Sequence, residues 1–217
     1  SNNEEATKNA DIVVLSVKPQ IIGKALQSVA ASGRENLLYI SVAAGVNLEQ
    51  LNSYSEKNIA VVRCMPNTPA IIRAGITALI ANQNVTELQR SDAENLLTAV
   101  GKTVWLNKES LMDAVTAISG SGPAYFFMLT ELLESCAVEL GLSAELAKEL
   151  AVQTAYGACT LARNASESPG ELRENVTSPN GTTEAALRVF AAEEIDRIVK
   201  SAVTAARDRS IELAKGN

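Results

Sequence analysis

The run Asn175-Val176-Thr177-Ser178-Pro179-Asn180-Gly181-Thr182-Thr183 passes from a polar turn into the helical spacing of Glu184–Phe190. The first N–H groups of a helix have no intrahelical partners, so such a start can hold an anion, a carboxylate among them. Thr183 would add a hydroxyl at that point, although plain helix capping explains the same threonine. Three further stretches, Ser16-Val17-Lys18-Pro19, Val42-Ala43-Ala44-Gly45 and Met65-Pro66-Asn67-Thr68-Pro69, each follow an apolar, β-branched run. Ligands of open α/β sheets bind outside the carboxyl ends of the strands, where these stretches would lie. Ala43-Ala44-Gly45 would let a flat ligand approach the backbone, and Lys18 would put a cation near phosphate or ribose oxygens. Ser119-Gly120-Ser121-Gly122-Pro123 carries two glycines suited to a tight bend and a proline suited to the first turn of a long helix.

The residue inventory excludes other chemistries. The chain has no histidine, which removes Ser-His-Asp and Cys-His nucleophilic catalysis and any histidine base. Its 3 cysteines, Cys64, Cys136 and Cys159, are scattered without a CxxC pair, so no metal site is expected and three buried thiols are. The net charge of -6 with no Lys/Arg cluster argues against a nucleic-acid partner. No apolar run reaches transmembrane length, so neither a membrane partner nor a membrane location is expected, and the protein reads as cytoplasmic.

These residues need elements to position them. Asp11–Val17, Leu37–Val42, Ala60–Cys64, Ile76–Ala81 and Lys102–Leu106 read as strands. Helical spacing over Gln20–Ala31, Leu48–Tyr54 and Glu87–Ala99 alternates with them, the rhythm of a doubly wound α/β sheet. After Leu106 only Ala- and Leu-rich helices follow: Leu111–Ile118, Ala124–Leu140, Ala144–Asn164, Thr183–Ala192 and Glu194–Ala214. Gly141 marks a stop and Ser143 an N-cap. The expected division is therefore an α/β domain over 1–107 and an all-α domain over 108–217. The sheet opens without the GxGxxG turn that starts a dinucleotide-binding domain. The expectation is that the first strands and that turn belong to an N-terminal segment the chain lacks.

VKPQ at Val17–Gln20, AAG at Ala43–Gly45, RCMPNTPA at Arg63–Ala70, DAVTAISGSGPAYFF at Asp113–Phe127 and LRENVTSPNGTTEAAL at Leu172–Leu187 occur in the order and at the spacing of one family. The whole chain resembles pyrroline-5-carboxylate reductase. The resemblance implies a Rossmann-like domain followed by a helical dimerisation domain. It implies reduction of 1-pyrroline-5-carboxylate to L-proline with NADPH (or NADH), the last step of proline biosynthesis. It places cofactor contacts on Asn3, Ser16, Val17, Lys18, Pro19, Ala43, Ala44, Gly45 and Asn175. It places substrate contacts on Glu109, Val176, Gly181, Thr182 and Thr183, with Thr183 catalytic. It further implies a homodimer, often in a larger ring of dimers such as a decamer. Asn180 stands where the family usually has glycine, a mild change because asparagine tolerates left-handed backbone angles.

Two other readings are open. A hydroxyacid dehydrogenase of the same layout would carry a lysine donor on its long interdomain helix, and Ala124–Leu140 has none. A catalytically inactive dimerisation scaffold would explain the missing glycine-rich turn.

Overall fold

The computed structural model describes residues 3–31 and 36–215. The chain forms two compact units, residues 1–123 with 203–217, and residues 124–202.

In the first unit α1 (Asn3–Thr7) leads into β1 (Ile12–Leu15), α2 (Pro19–Ala31), β2 (Leu38–Ser41), α3 (Leu48–Ser53) and β3 (Ala60–Met65). A 3-10 turn at Thr68–Ile72 then gives way to β4 (Gly75–Ala81), α4 (Glu87–Thr98) and β5 (Gly101–Trp105). The five strands lie side by side in chain order. β1, β2 and β3 are parallel, with Leu15 opposite Ser41 and Ser41 opposite Arg63, so all three end at one edge. β4 runs antiparallel to β3. Parallel strands need a crossover of a dozen or more residues, usually a helix, and Pro66–Ala74 is too short to supply one. α4 does supply one, and β5 is parallel to β4.

The period of two along the strands divides the core. Tyr39 and Val61 point to one face, where they meet Ile22, Leu26 and Val29 of α2 and Leu51 of α3. Leu38, Ile40, Val62 and Cys64 point to the other, against Ala93 and Leu97 of α4. Helices therefore cover both faces, as a doubly wound sheet requires. α3 and α4 each begin with a capping box, on Asn47 with Gln50 and on Thr86 with Gln89.

Beyond β5 a 3-10 turn at Glu109–Leu111 continues into α5 (Met112–Val115) and a π-helical turn at Thr116–Gly120, where the Ser121 N–H donates to the Thr116 carbonyl. The first-face core extends here, with Met112 buried against Ala78 and Ile80 of β4. The two glycines expected to make a bend do not adopt left-handed angles. Gly120 serves close approach instead: a Cβ there would lie 2.5 Å from Cε of Met65.

The second unit holds most of α6 (Gly122–Glu139), α7 (Ala144–Asn164), α8 (Pro169–Asn175) and α9 (Thr182–Ala192), and the start of α10 (Ile195–Lys215). Gly141, at φ 97, stops α6, and the Ser143 hydroxyl accepts from the Leu146 N–H to cap α7. α8 escapes the sequence reading although Ser168, Pro169 and Glu171 form a capping box with proline in the first turn. Of the apolar residues in this unit, Ala147 and Ala151 are buried, whereas Phe127, Leu140 and Tyr156 are 66%, 85% and 65% exposed. Cys136 and Cys159 are exposed as well, against the expectation of three buried thiols, because the helix faces that carry them are uncovered in a single chain. The later part of α10 belongs to the first unit, where the Ser210 hydroxyl donates to Oδ1 of Asp113 at 2.7 Å and Gln50 donates to the Ala214 carbonyl at 3.1 Å.

Candidate functional site

The common edge of β1, β2 and β3 positions the first group of residues. Ser16 and Lys18 are exposed directly after β1, and Pro19 opens α2, so the helix N-terminus faces the strand end. After β2, Ala43 is buried and Ala44 exposed, and Gly45 takes a left-handed φ of 73. The Ala43 N–H donates to the Ser41 hydroxyl at 3.3 Å, which folds the loop back on its own strand. Since β1 and β2 are neighbours in register, Ser16–Pro19 and Ala43–Gly45 lie side by side. Asn3 opens α1, exposed, its carbonyl accepting from the Thr7 hydroxyl.

The donor set at this edge is a hydroxyl, an ammonium group that has no ion-pair partner among the described residues, and a helix N-terminus, beside a loop whose side chains are methyl groups or hydrogen. Those are groups that suit an anionic dinucleotide. Two clefts of the first unit, one lined by Gln27, Tyr54 and Lys57 and the other by Asn36, Asn84 and Gln89, lie towards the opposite edge, where α2 and α3 end and β2 and β3 begin.

The third strand adds a feature that the sequence reading passed over. Arg63 shares a face with Val61, inside the core, and only 7% of its side chain is exposed. A guanidinium there needs a partner. It has one in Glu109, Nη1 to Oε1 at 2.7 Å. The same Oε1 accepts from the Leu48 N–H at 2.8 Å. Glu109 thus joins the end of β3 to the first residue of α3. The signal was in the sequence, as one charge within the apolar run Ala60–Met65.

In the second unit one turn brings together Asn175, Val176, Gly181, Thr182 and Thr183. Asn175 ends α8 and is exposed, as is Val176, which caps that helix. The Thr177 hydroxyl donates to the Arg173 carbonyl at 2.6 Å, and the Gly181 N–H donates to the Ser178 carbonyl at 3.0 Å. Asn180 adopts the left-handed angle its position called for, φ 58. Its N–H donates to Oε2 of Glu184 at 2.9 Å, one turn into α9.

The capping role considered for Thr183 does not hold. α9 begins one residue earlier, with Gly181 as N-cap, and glycine has no side chain to offer the helix start. A Cβ at Gly181 would lie 2.9 Å from the Ser178 carbonyl, which is why this position stays bare. The opening N–H groups of α9 consequently have no side-chain cap, and the half-buried Thr183 hydroxyl makes no hydrogen bond among the described residues. The arrangement offers an uncapped helix N-terminus, favourable to negative charge, with a free hydroxyl in its first turn.

Comparisons with known proteins agree in direction. A family model for pyrroline-5-carboxylate reductase dimerisation matches residues 109–213, and a model for NADP oxidoreductase, coenzyme F420-dependent, matches residues 1–45. The chain is 47% identical over 214 residues to a pyrroline-5-carboxylate reductase of Pseudomonas aeruginosa, covering 99% of this chain and 78% of that protein. A solved pyrroline-5-carboxylate reductase from Coxiella burnetii superposes with a TM-score of 0.93 at 39% identity, over 99% of this chain and 80% of that one. The Plasmodium falciparum pyrroline carboxylate reductase, solved with NADP bound, gives a TM-score of 0.90 at 32% identity, over 99% and 81%.

Proposed function

This chain belongs to the pyrroline-5-carboxylate reductase family, and we propose that it reduces 1-pyrroline-5-carboxylate to L-proline with NADPH or NADH, the closing step of proline synthesis. The observation that carries this reading is the 47% identity to a named reductase across nearly the whole chain. The scaffold alternative has nothing comparable behind it. The dehydrogenase alternative lacks its lysine, since none occurs in Ala124–Leu140.

Residues 1–107 form the cofactor domain and residues 108–217 the substrate and dimerisation domain in this reading. Ser16, Val17, Lys18, Pro19 and Ala43–Gly45 hold the dinucleotide, with Asn3 and Asn175 as further contacts. Lys18 offsets phosphate charge, and the bare Ala43–Gly45 backbone admits a flat ring. The dinucleotide, when bound, supplies the hydride.

The protein's own residues bind and orient the imine. The uncapped N–H groups of Thr182 and Thr183, beside the bare Gly181, take the substrate carboxylate through charge-assisted hydrogen bonds. Val176 offers an exposed apolar side chain to the ring. Oε2 of Glu109, the oxygen that neither Arg63 nor Leu48 uses, is the atom left for a substrate contact. The Thr183 hydroxyl sits beside the ring nitrogen and orients or relays its proton. An imine that arrives protonated needs no strong acid, so a chain without histidine can do this chemistry. Holding the carboxylate fixes the reacting carbon, and orientation alone supplies several kcal/mol of such barriers, on the order of 7–11 kcal/mol at best.

The helical domain pairs with a second copy, and rings of such dimers, up to a decamer, are the larger assembly. A cytoplasmic location suits this role, and no helix among the described residues is long and apolar enough to cross a membrane. The test is direct. Purified protein given pyrroline-5-carboxylate should consume NADPH or NADH and release proline in equal amounts. Absence of turnover with either nucleotide at saturating substrate, in protein that includes the glycine-rich turn expected ahead of this sequence, would remove the enzymatic reading and leave the scaffold.

A further inference from the structure

We infer that Arg63 and Glu109 form a positioning strut that holds the cofactor loop after β2 in place, and that Glu109 acts through this loop as well as through any contact with substrate. The inference rests on the reading that Ala43–Gly45 meets the dinucleotide.

One hydrogen bond at each end of the loop matters here. At its start the Ala43 N–H bonds to the Ser41 hydroxyl. At its far end the Leu48 N–H, in the first turn of α3, bonds to Oε1 of Glu109. Asn47 caps α3 by accepting from the Gln50 N–H, which leaves the Leu48 N–H for an acceptor from elsewhere in the fold. That acceptor lies 61 positions along the chain and belongs to a 3-10 turn, not a long helix, so it needs support of its own.

Arg63 provides the support. It projects from β3, the strand next to β2, and its guanidinium is held within the core. Its bond to the same Oε1 fixes the carboxylate from the sheet side. A buried charge tolerates little displacement, because moving it off its partner leaves it unpaired in a poorly solvated place. The segment after Glu109 is fastened a second time, where Met65 at the end of β3 packs on Gly120 of the π turn. β3 thus sets both the position of the Glu109 carboxylate and, through it, the start of α3 and the loop before it.

Three variants test this: Glu109→Ala, Glu109→Gln and Arg63→Lys. Glu109→Gln keeps an oxygen that can accept from Leu48, and loses the charge and the second acceptor oxygen. In Glu109→Ala the Leu48 amide should exchange its hydrogen faster in ligand-free protein, and KM for the nucleotide should rise about tenfold, the scale of one lost charge-assisted bond. KM for the imine should rise as well in this variant, because Oε2 is lost with the rest of the side chain, so the strut is read from the Leu48 amide and the nucleotide KM. Glu109→Gln should restore both Leu48 protection and nucleotide KM most of the way. Arg63→Lys, with a shorter reach and no fork, should fall between. The amide measurement involves no nucleotide, so it reports on the strut even if Ala43–Gly45 has no part in cofactor binding. Unchanged Leu48 exchange in Glu109→Ala would overturn the strut. A rise in imine KM alone, with no rescue by glutamine, would make Glu109 a substrate contact only and overturn the positioning role.

Discussion

Thr183 sits in the first turn of α9 without capping it, and that separates its chemistry from its structural role. Removing a true N-cap costs about 1 kcal/mol. Thr183→Ala should cost less than that in thermal unfolding, since no hydrogen bond within the described residues is lost. Its kcat/KM should fall on the order of tenfold to a thousandfold if the hydroxyl both positions and relays a proton. Thr183→Ser should recover much of the loss, and Thr177→Ala, whose hydroxyl is committed to the Arg173 carbonyl, should do little. Parent-like turnover by Thr183→Ala would leave water or another group as the proton source. Cys64 behaves in the opposite way to a reactive residue. Burial pushes its thiol up from 9.0 to about 12, and Sγ donates to the Ser41 carbonyl at 3.3 Å. The folded state keeps the proton that the unfolded state releases above its ordinary value, so this group's contribution is intact below pH 9.0 and is lost as pH rises from there towards about 12. Cys64 should therefore resist thiol reagents in native protein at neutral pH and react on denaturation, as labelling followed by mass spectrometry would read. Labelling of Cys64 at the rate of a free thiol would contradict the burial.

Among the elements, β4 and β5 depend on one close approach. Gly75 pairs with Gly101, and Gly101 holds a φ of 150 that side chains rarely adopt. A Cβ on Gly101 would also run into the Gly75 carbonyl. Strain and overpacking then add, and Gly101→Ala should lower stability by at least about 2 kcal/mol, seen as a reduced melting temperature. A parent-like melting curve would mean that the strand start can shift to make room. β5 also leads into the turn that carries Glu109, so a shift here would reach the site proposed for that residue. The turn before α9 follows similar logic with a different residue: Asn180 takes the left-handed angle, and the bare Gly181 clears the Ser178 carbonyl.

For the whole molecule, the apolar surface of the second unit is the dominant fact. Phe126, Phe127, Leu129, Leu132 and Leu133 on α6 are all exposed, beside Leu146, Leu150 and Tyr156 on α7. Monomeric proteins rarely leave so much apolar area in water. The match to a dimerisation model over residues 109–213 identifies the kind of partner as a second copy. Light scattering should give at least twice the mass of a single chain at micromolar concentration. Charges placed on α6, as in Phe127→Glu with Leu132→Glu, should shift the protein towards a poorly folded monomer. A stable, well-folded parent monomer would contradict the assembly.

Periodicity and punctuation by themselves determined most of the element list: the five strands, the change to an all-helical part, the Gly141 stop and the Ser143 cap. Each depends on neighbours a few residues away, and local rules read such neighbours well. The motifs from Val17 to Leu187 likewise carried the family, because they preserve residue types in order. The fold alone decided what depends on distant neighbours. β4 is antiparallel because the Pro66–Ala74 connection cannot span a crossover, and no residue in it announces that direction. Arg63 finds Glu109 across 46 positions, and Glu109 finds Leu48 across 61. A charge in an apolar strand says that a partner is required. Which partner it takes is settled only when the sheet and the segment packed on its face bring the two together.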